Sequence, residues 1–325
     1  MKLINPKFTV VVPVYNRPDE LSELLGSLTC QTYSNFDVVI VEDGSTITSK
    51  SVVEKFSSEL KIDYIFKPNS GPGPSRNVGF QRASGDYFVV FDSDCILPAT
   101  YFESVIAFLS ATPLDAWGGP DRAHKSFTTL QQAMGYTMAS PLTTGGIRGG
   151  KKHVGWFQPR SFNMGISRTV FEQTGGFQFD RYAEDIEFSI RMKEKGFRIG
   201  LIPEAFVYHK RRTSLSQFYK QVFHFGKGRA LIGKKYPSEV KLTHWFPTGF
   251  FLGAIGIVLL PLISFPLFYL GVSLLALYLV CIFVHAFLMS KSLAVAALSV
   301  PSTLVQFSGY GLGFLLERLK TYSGK

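Results

Sequence analysis

The stretch YFVVFDSDC, Tyr87 to Cys95, runs five apolar residues straight into two aspartates separated by one serine. An apolar run of that length predicts a strand buried on both faces. In an extended chain residues i and i+2 point the same way, so Asp92 and Asp94 can offer both carboxylates to one ligand at the strand's end. Hard oxygen donors of this kind suit Mg²⁺ or Mn²⁺, which combine a few carboxylates with substrate phosphates. Taken alone, the same residues also fit an Asp-rich turn that caps the next helix.

Working outward, the pattern repeats. FTVVVPVYN (8–16) reads as a buried strand, and DELSELLGSLTCQ (19–31) spaces Leu21, Leu24, Leu25 and Leu28 along one helix face. FDVVIVEDGS (36–45) is a second strand ending in acids, 49–60 a second helix, 61–68 a third strand, and Arg76 to Arg82 a helix leading into 87–91. Strands alternating with helices at these intervals predict an α/β fold, a doubly wound and mostly parallel sheet that binds ligands beyond the carboxyl ends of its strands. Beyond Asp94 the pattern loosens. Helices are expected at 101–111, 126–138 and 183–196, short strands at 116–119 and near PRSFNMGISR (159–168), and two more in RIGLIPEAFVYHKRR.

Composition bounds the alternatives. The chain has 325 residues, 46% of them apolar, and three cysteines far apart, which argues against a disulfide framework and for a reducing, cytosolic setting. The N-terminal apolar run is a strand's length and ends at Pro13, so no secretory signal is expected. The net charge of +10 is not spread evenly: residues 191 to 241 hold 13 Lys or Arg against three Glu, and the remainder balances. That segment precedes 45 uncharged residues, Phe246 to Ser290, and a further uncharged stretch from Ser292 to Leu316. As one helix, 45 residues would extend roughly 67 Å, about twice a bilayer core. The stretch must therefore cross twice or fold back, with Pro261 and Pro266 marking the reversal. Basic residues ahead of a first span favour the cytoplasmic side, and a location as a multi-pass membrane protein with its N-terminal domain in the cytosol follows. Three full crossings would leave Arg318, Lys320 and Lys325 on the other side, so one stretch is expected to be re-entrant or interfacial. A nucleic-acid role is not expected, because the basic patch borders the bilayer and carries no recognised binding motif.

VVPVYNRPDEL, VEDGS, GPGPSRNVGF, FDSD, the AED at 183–185 and YHKRR at 208–212 follow one another at a spacing that resembles family 2 glycosyltransferases, inverting enzymes of GT-A fold that use nucleotide-activated sugars. The resemblance covers about the first 230 residues. It implies a GT-A domain over 1–230, a basic juxtamembrane linker over 231–245, two or three membrane or re-entrant helices over 246–316 and a short polar tail over 317–325.

It also implies roles. Asp43 resembles the acid that recognises the nucleobase, with Pro13, Tyr15 and Asn16 closing that pocket; an Asp-Gly pair is also simply a turn signal. Arg76 and Asn77, expected at a helix start, suit phosphate or base oxygens. Asp92 and Ser93 would face the donor, while Asp94, with Asp92 and His209, would hold the divalent cation. Asp185 corresponds to the base that takes the acceptor's proton, an inverting transfer needing only one such group. Glu184 and Trp156 would stand near the acceptor or in a lid, although acids in a first helical turn are ordinarily explained by the helix dipole. GGIRGGKK (145–152) mimics a phosphate-binding loop but has Lys152 where Ser or Thr is required, and reads better as part of a mobile lid.

The expected activity is therefore single-sugar transfer from a nucleoside-diphosphate sugar to a cytosolic, lipid-linked or glycan acceptor. The alternatives are a processive polysaccharide synthase, whose Q-x-x-R-W motif is missing after Gln217, and a noncatalytic nucleotide-sugar-binding scaffold.

Overall fold

The computed structural model describes residues 5–122, 124, 127–144 and 156–320. The expected lid and the decoy at 145–152 lie outside the described residues. The chain divides into two compact units, Met1–His124 with Lys151–Lys210, and Lys125–Gly150 with Arg211–Lys325. The boundary expected at 230 falls inside a long helix, Leu215–Lys235, that packs on the last apolar helix.

In the first unit β1 (Phe8–Val14), α1 (Pro18–Thr29), β2 (Phe36–Asp43), α2 (Lys50–Phe56), β3 (Ile62–Lys67), α3 (Pro72–Arg82) and β4 (Tyr87–Phe91) alternate as the periodicity predicts. They are followed by β5 (Cys95–Ile96), α4 (Tyr101–Ala111), β6 (Ala116–Gly118) and β7 (Asp121–Arg122). The main sheet has the order β3-β2-β1-β4 and continues through β8 (Asn163–Ser167), β6 and β9 (Ile199–Leu201). β1 lies between β2 and β4, parallel to both, and β3 is parallel to β2. All four leading strands therefore end on the same edge. Asp43 at the end of β2 and Asp92 just beyond β4 thus come to the same rim, as the fold rule requires.

After the second unit's first insertion come β8 (Asn163–Ser167), α7 (Arg168–Thr174), α8 (Glu184–Glu194), β9 (Ile199–Leu201) and β10 (Val207–His209). β8 is antiparallel to β4 and β6, the one reversed strand of the sheet. A second, three-stranded sheet β5-β10-β7 sets His209 directly opposite Cys95. One core lies between the sheet and α1 with α4. There Leu21, Leu24, Leu25 and Leu28 are fully covered, each worth about 1.5–3 kcal/mol of burial. The opposite core packs Phe80, Phe88, Phe177 and Phe188 beneath α3 and α8.

One helix starts earlier than its sequence suggests. α3 begins at Pro72, because proline is well suited to a first turn, where its missing N–H leaves no bond unmade. Gly71 supplies the preceding left-handed backbone, φ 104°, and a Cβ there would stand 2.7 Å from the Asp180 carbonyl oxygen. Arg76 and Asn77 consequently lie inside the helix, not at its start.

The second unit holds α5 (Thr129–Ala139), α6 (Pro141–Thr144), α9 (Leu215–Lys235), α10 (Phe246–Leu259), α11 (Phe265–Ser290) and α12 (Leu293–Leu319). Leu260–Leu262 forms a 3₁₀ turn before α11, at the reversal that Pro261 and Pro266 mark. α9 is pressed against α12 backbone to backbone: a Cβ on Gly226 would meet the Tyr310 carbonyl oxygen at 2.1 Å, and one on Gly313 the Phe223 carbonyl oxygen at 2.2 Å. Gly309 and Gly313 are thus where α9 docks, and Gly311 is where α10 does, its Cβ position 2.6 Å from the Pro247 carbonyl oxygen. Ser299, Ser302 and Thr303 of α12 are buried and return their hydroxyl hydrogens to carbonyls one turn back, at 2.7–2.8 Å. α11 and α12 are both long and apolar enough to cross a membrane, but only 6% of the α11 window is covered by protein against 44% for α12.

Candidate active site

The site grows from the rim where β1, β2 and β4 end. Asp43 is 4% exposed, and its Oδ1 accepts the Ser70 N–H and Oδ2 the Gly71 N–H, both at 2.9 Å. The Lys67 ammonium pairs with Oδ1. Burial pushes the carboxyl up, yet Lys67 and the two backbone donors outweigh it and hold it below the usual carboxylate range. Glu42 beside it is fully buried and accepts the Ser49 N–H at 2.7 Å and the Tyr64 hydroxyl at 3.2 Å. Burial, with Glu42 alongside, pushes Tyr64 up to about 12. Of the two acids, Glu42 is thus built into the strand's support and Asp43 stands at the loop.

Pro13, the residue before the end of β1, stands opposite Val41, and Tyr15 is 51% exposed. Asn16 has a left-handed backbone, φ 54°, and its side-chain oxygen accepts the N–H groups of Thr46 and Ile47 at 2.8 and 3.0 Å. It therefore shapes the loop after β2. Asn77 acts in a similar way: its amide donates to the Phe177 carbonyl and accepts the Phe177 N–H, each at 2.8 Å. Those bonds tie α3 to the loop before α8.

Arg76 is the centre of the cluster. It is 2% exposed, its Nη2 donates to Asp92 Oδ1 at 2.8 Å and its Nη1 to Glu184 Oε1 at 2.9 Å. The guanidinium also lies 5.3 Å from the centre of the Phe177 ring. One side chain thereby joins the end of β4 to the first residue of α8. Burial pushes Glu184 up to about 7, against the pull of Arg76 and with the Asp185 carboxylate adding to the rise. Asp185, next in the helix, turns Oδ1 to its neighbour's N–H at Ile186, 2.8 Å, and has Oδ2 3.8 Å from Arg160 Nη1. Its side chain is 16% exposed. Glu187 is fully buried and takes the Arg191 Nε–H on both oxygens, at 2.9 and 3.0 Å. The Trp156 ring receives the Lys193 ammonium 4.5 Å from its centre.

Ser93 is 5% and Asp94 6% exposed. Asp94 Oδ1 lies 3.1 Å from His209 Nε2, and Oδ2 only 2.5 Å from Arg17 Nη1. His209 is stacked on Phe162, centres 4.7 Å apart. Its Nδ1 is buried without a hydrogen-bond partner among the described residues. Donor atoms of Asp94, Cys95 and His209 all lie within 4.8 Å of one another. Cys95 is not a natural ligand here: burial first, then Asp94 and Asp92, raise its thiol well above its ordinary value, and Sγ donates to the Phe162 carbonyl at 3.4 Å. A carboxylate and an imidazole remain, a donor set that fits a divalent cation of the Mn²⁺ kind.

Arg17 and Arg160 were not singled out by their sequence context. Arg17 stands in VVPVYNRPDEL and Arg160 in PRSFNMGISR; either could be found only by asking which cations must neutralise Asp94 and Asp185. Phe162 and Phe177 carry no signal of their own, since buried aromatics are the rule in such cores.

A mostly parallel sheet with carboxylates, guanidinium groups and one imidazole gathered at its carboxyl rim defines the GT-A class of α/β protein. The model of glycosyl transferase family 2 matches residues 9–175, half of the chain, and the protein belongs to that family. It is similar to glycosyltransferase GlyA of Streptococcus pneumoniae, 39% identical over 104 residues, which are 32% of this chain but 15% of GlyA. The match therefore spans only about a seventh of that relative's length. Glycosyltransferase AglE of Haloferax volcanii is 25% identical over 241 residues, 69% of this chain and 73% of AglE. Mannosyltransferase PcManGT from Pyrobaculum calidifontis, solved with GDP-Man and Mn²⁺, shares the fold with TM-score 0.65 at 18% identity, covering 98% of this chain and 88% of that one.

Proposed function

We propose that the protein transfers one sugar, with inversion, from a nucleoside-diphosphate sugar to a hydroxyl of a lipid-linked or glycan acceptor presented at a membrane. The observation that carries this is the Arg76 bridge: Asp92, beside the proposed cation ligand Asp94, and Glu184, beside the proposed base Asp185, are held by one guanidinium. Acids from distant parts of the chain are thereby brought around one site. Asp43 and the end of β1 would receive the nucleobase. Asp94 and His209 would hold Mn²⁺ or Mg²⁺, which supplies charge neutralisation for the departing diphosphate. Asp185 accepts the acceptor's proton as its oxygen attacks the anomeric carbon. No acid is needed on the leaving group, unlike in a glycoside hydrolase.

The test uses the full chain in lipid nanodiscs with Mn²⁺ or Mg²⁺. Thermal shift against a panel of nucleotide sugars identifies the donor, because a bound ligand stabilises the folded state. Transfer to lipid extract should then yield a product larger by one sugar. A long ladder would replace this reading with a processive synthase; a shift without transfer would replace it with a noncatalytic nucleotide-sugar-binding scaffold.

The second unit supports a specific arrangement in the bilayer. Lys234, ahead of the first apolar stretch, lies 3.6 Å from Glu317 and donates to the Lys320 carbonyl at 3.2 Å, both beyond the last stretch. Arg318 sits 5.9 Å from the ring of Trp245. Flanks that touch lie on one side of a membrane, so the number of complete crossings between them is even. α10 with its 3₁₀ turn and the bare α11 would enter and return, leaving α12 with α9 on the entry side, which positive charge assigns to the cytoplasm. In reconstituted vesicles lacking Cys30 and Cys281, an impermeant maleimide should label Ser264→Cys from one side and both Ser292→Cys and Lys320→Cys from the other. Labelling of the last two from opposite sides would refute the hairpin.

A further inference from the structure

Two guanidinium groups meet the acids after β4, and they are held differently. Arg76 is 3% exposed in its side chain and fixed between two carboxylates. Arg17 is 29% exposed and meets a single carboxylate oxygen, Asp94 Oδ2, at 2.5 Å. Its backbone is set by the Pro18 that begins α1, at φ −142°, and its side chain makes no cap on that helix. It therefore hangs from a rigid start across the rim, with water on one flank.

Asp94 Oδ2 is held by Arg17 in this state, and Oδ1 lies 3.1 Å from His209 Nε2. A divalent cation bound to Asp94 would bring two further positive charges beside the guanidinium, and like charges that close repel strongly in a partly buried setting. A diphosphate arriving at the same place offers the guanidinium oxygen acceptors in a geometry it matches well. Arg76 cannot make that exchange, since leaving would strand Glu184 in the core.

We propose that Arg17 is a placeholder for the cation: it neutralises Asp94 while the site is empty of donor and moves to the donor's diphosphate when that arrives. Cation affinity is then low in the protein alone and rises with nucleotide, so that the metal enters with the donor. This inference rests on the reading of Asp94 and His209 as cation ligands.

The test is Mn²⁺ binding to the full chain in nanodiscs, followed by electron paramagnetic resonance without nucleotide and with UDP or GDP. Arg17→Gln should bind Mn²⁺ alone about tenfold more tightly than wild type, as expected for removing one adjacent positive charge. Its gain in Mn²⁺ affinity on adding the nucleoside diphosphate should shrink by a similar factor. Arg17→Lys, which keeps the charge, should stay near wild type, and equal melting temperatures would establish that the variants are folded. A site that Asp94→Asn abolishes but Arg17→Gln leaves unchanged or weakens rejects the placeholder while keeping the metal reading. A protein that shows no Mn²⁺ site sensitive to Asp94→Asn, with or without nucleotide, rejects both.

Discussion

Replacing Asp185 with asparagine should lower the transfer rate at saturating donor by about 10²–10⁴-fold, the range that a positioned proton acceptor contributes. The substitution is nearly isosteric, and an asparagine oxygen can keep the bond from the Ile186 N–H that now fixes the carboxylate at 2.8 Å. Fold and donor binding should therefore survive, because the residues assigned to the nucleotide lie on β1, β2 and the end of β4. The informative comparison is with Glu184→Gln. Glu184 is the more deeply buried of the pair and faces Arg76, so its loss should alter alignment and cost less than Asp185→Asn in rate. Initial rates together with nucleotide-induced thermal shifts check this. A rate for Asp185→Asn within threefold of wild type would remove the base assignment, and a lost thermal shift would reassign Asp185 to donor binding.

How much of this site could be read beforehand depends on what kind of information a residue carries. Strands and their acidic ends were legible, because a two-faced buried strand needs a continuous apolar run and its polar stop shows as a sharp boundary, as at Phe91–Asp92. Pairing of His209 with Asp94 followed only from the family resemblance; the antiparallel register that sets His209 opposite Cys95 is a long-range event with no local signature. Asn16 and Asn77 were placed in the pocket by motif, yet their amides hold loops in shape. A motif marks that a residue type is required and does not say whether a ligand or the backbone requires it. Composition also does not show where helices meet: Gly226 and Gly313 are points where α9 and α12 approach too closely for any Cβ.

Arg76→Met tests whether the cluster is a support as well as a site. Methionine fills much of the same volume, so the cost comes from the two acids left behind. Removing one partner of a buried ion pair costs about 3–5 kcal/mol, here on the order of 10 °C in melting temperature. Asp92 should contribute little of it, being 33% exposed and able to turn to water. Glu184, 10% exposed in its side chain, carries the rest. Its folded-state value is raised, to about 7 from an ordinary 4.5, so it binds its proton more tightly folded than unfolded. The corresponding stability is fully present below about pH 4.5 and is lost as the pH rises through about 7. Without the guanidinium the value rises further, and the loss should deepen and extend to higher pH. The gap in melting temperature between Arg76→Met and wild type should therefore be wider at pH 8 than at pH 5. Adding Glu184→Gln to Arg76→Met should recover most of it and flatten its pH dependence, since no charge then remains to be stranded. A gap that is the same at both pH values, or a double variant no more stable than the single one, would mean that Arg76 supports the fold through packing on Phe177 and not through the charge it shares between β4 and α8.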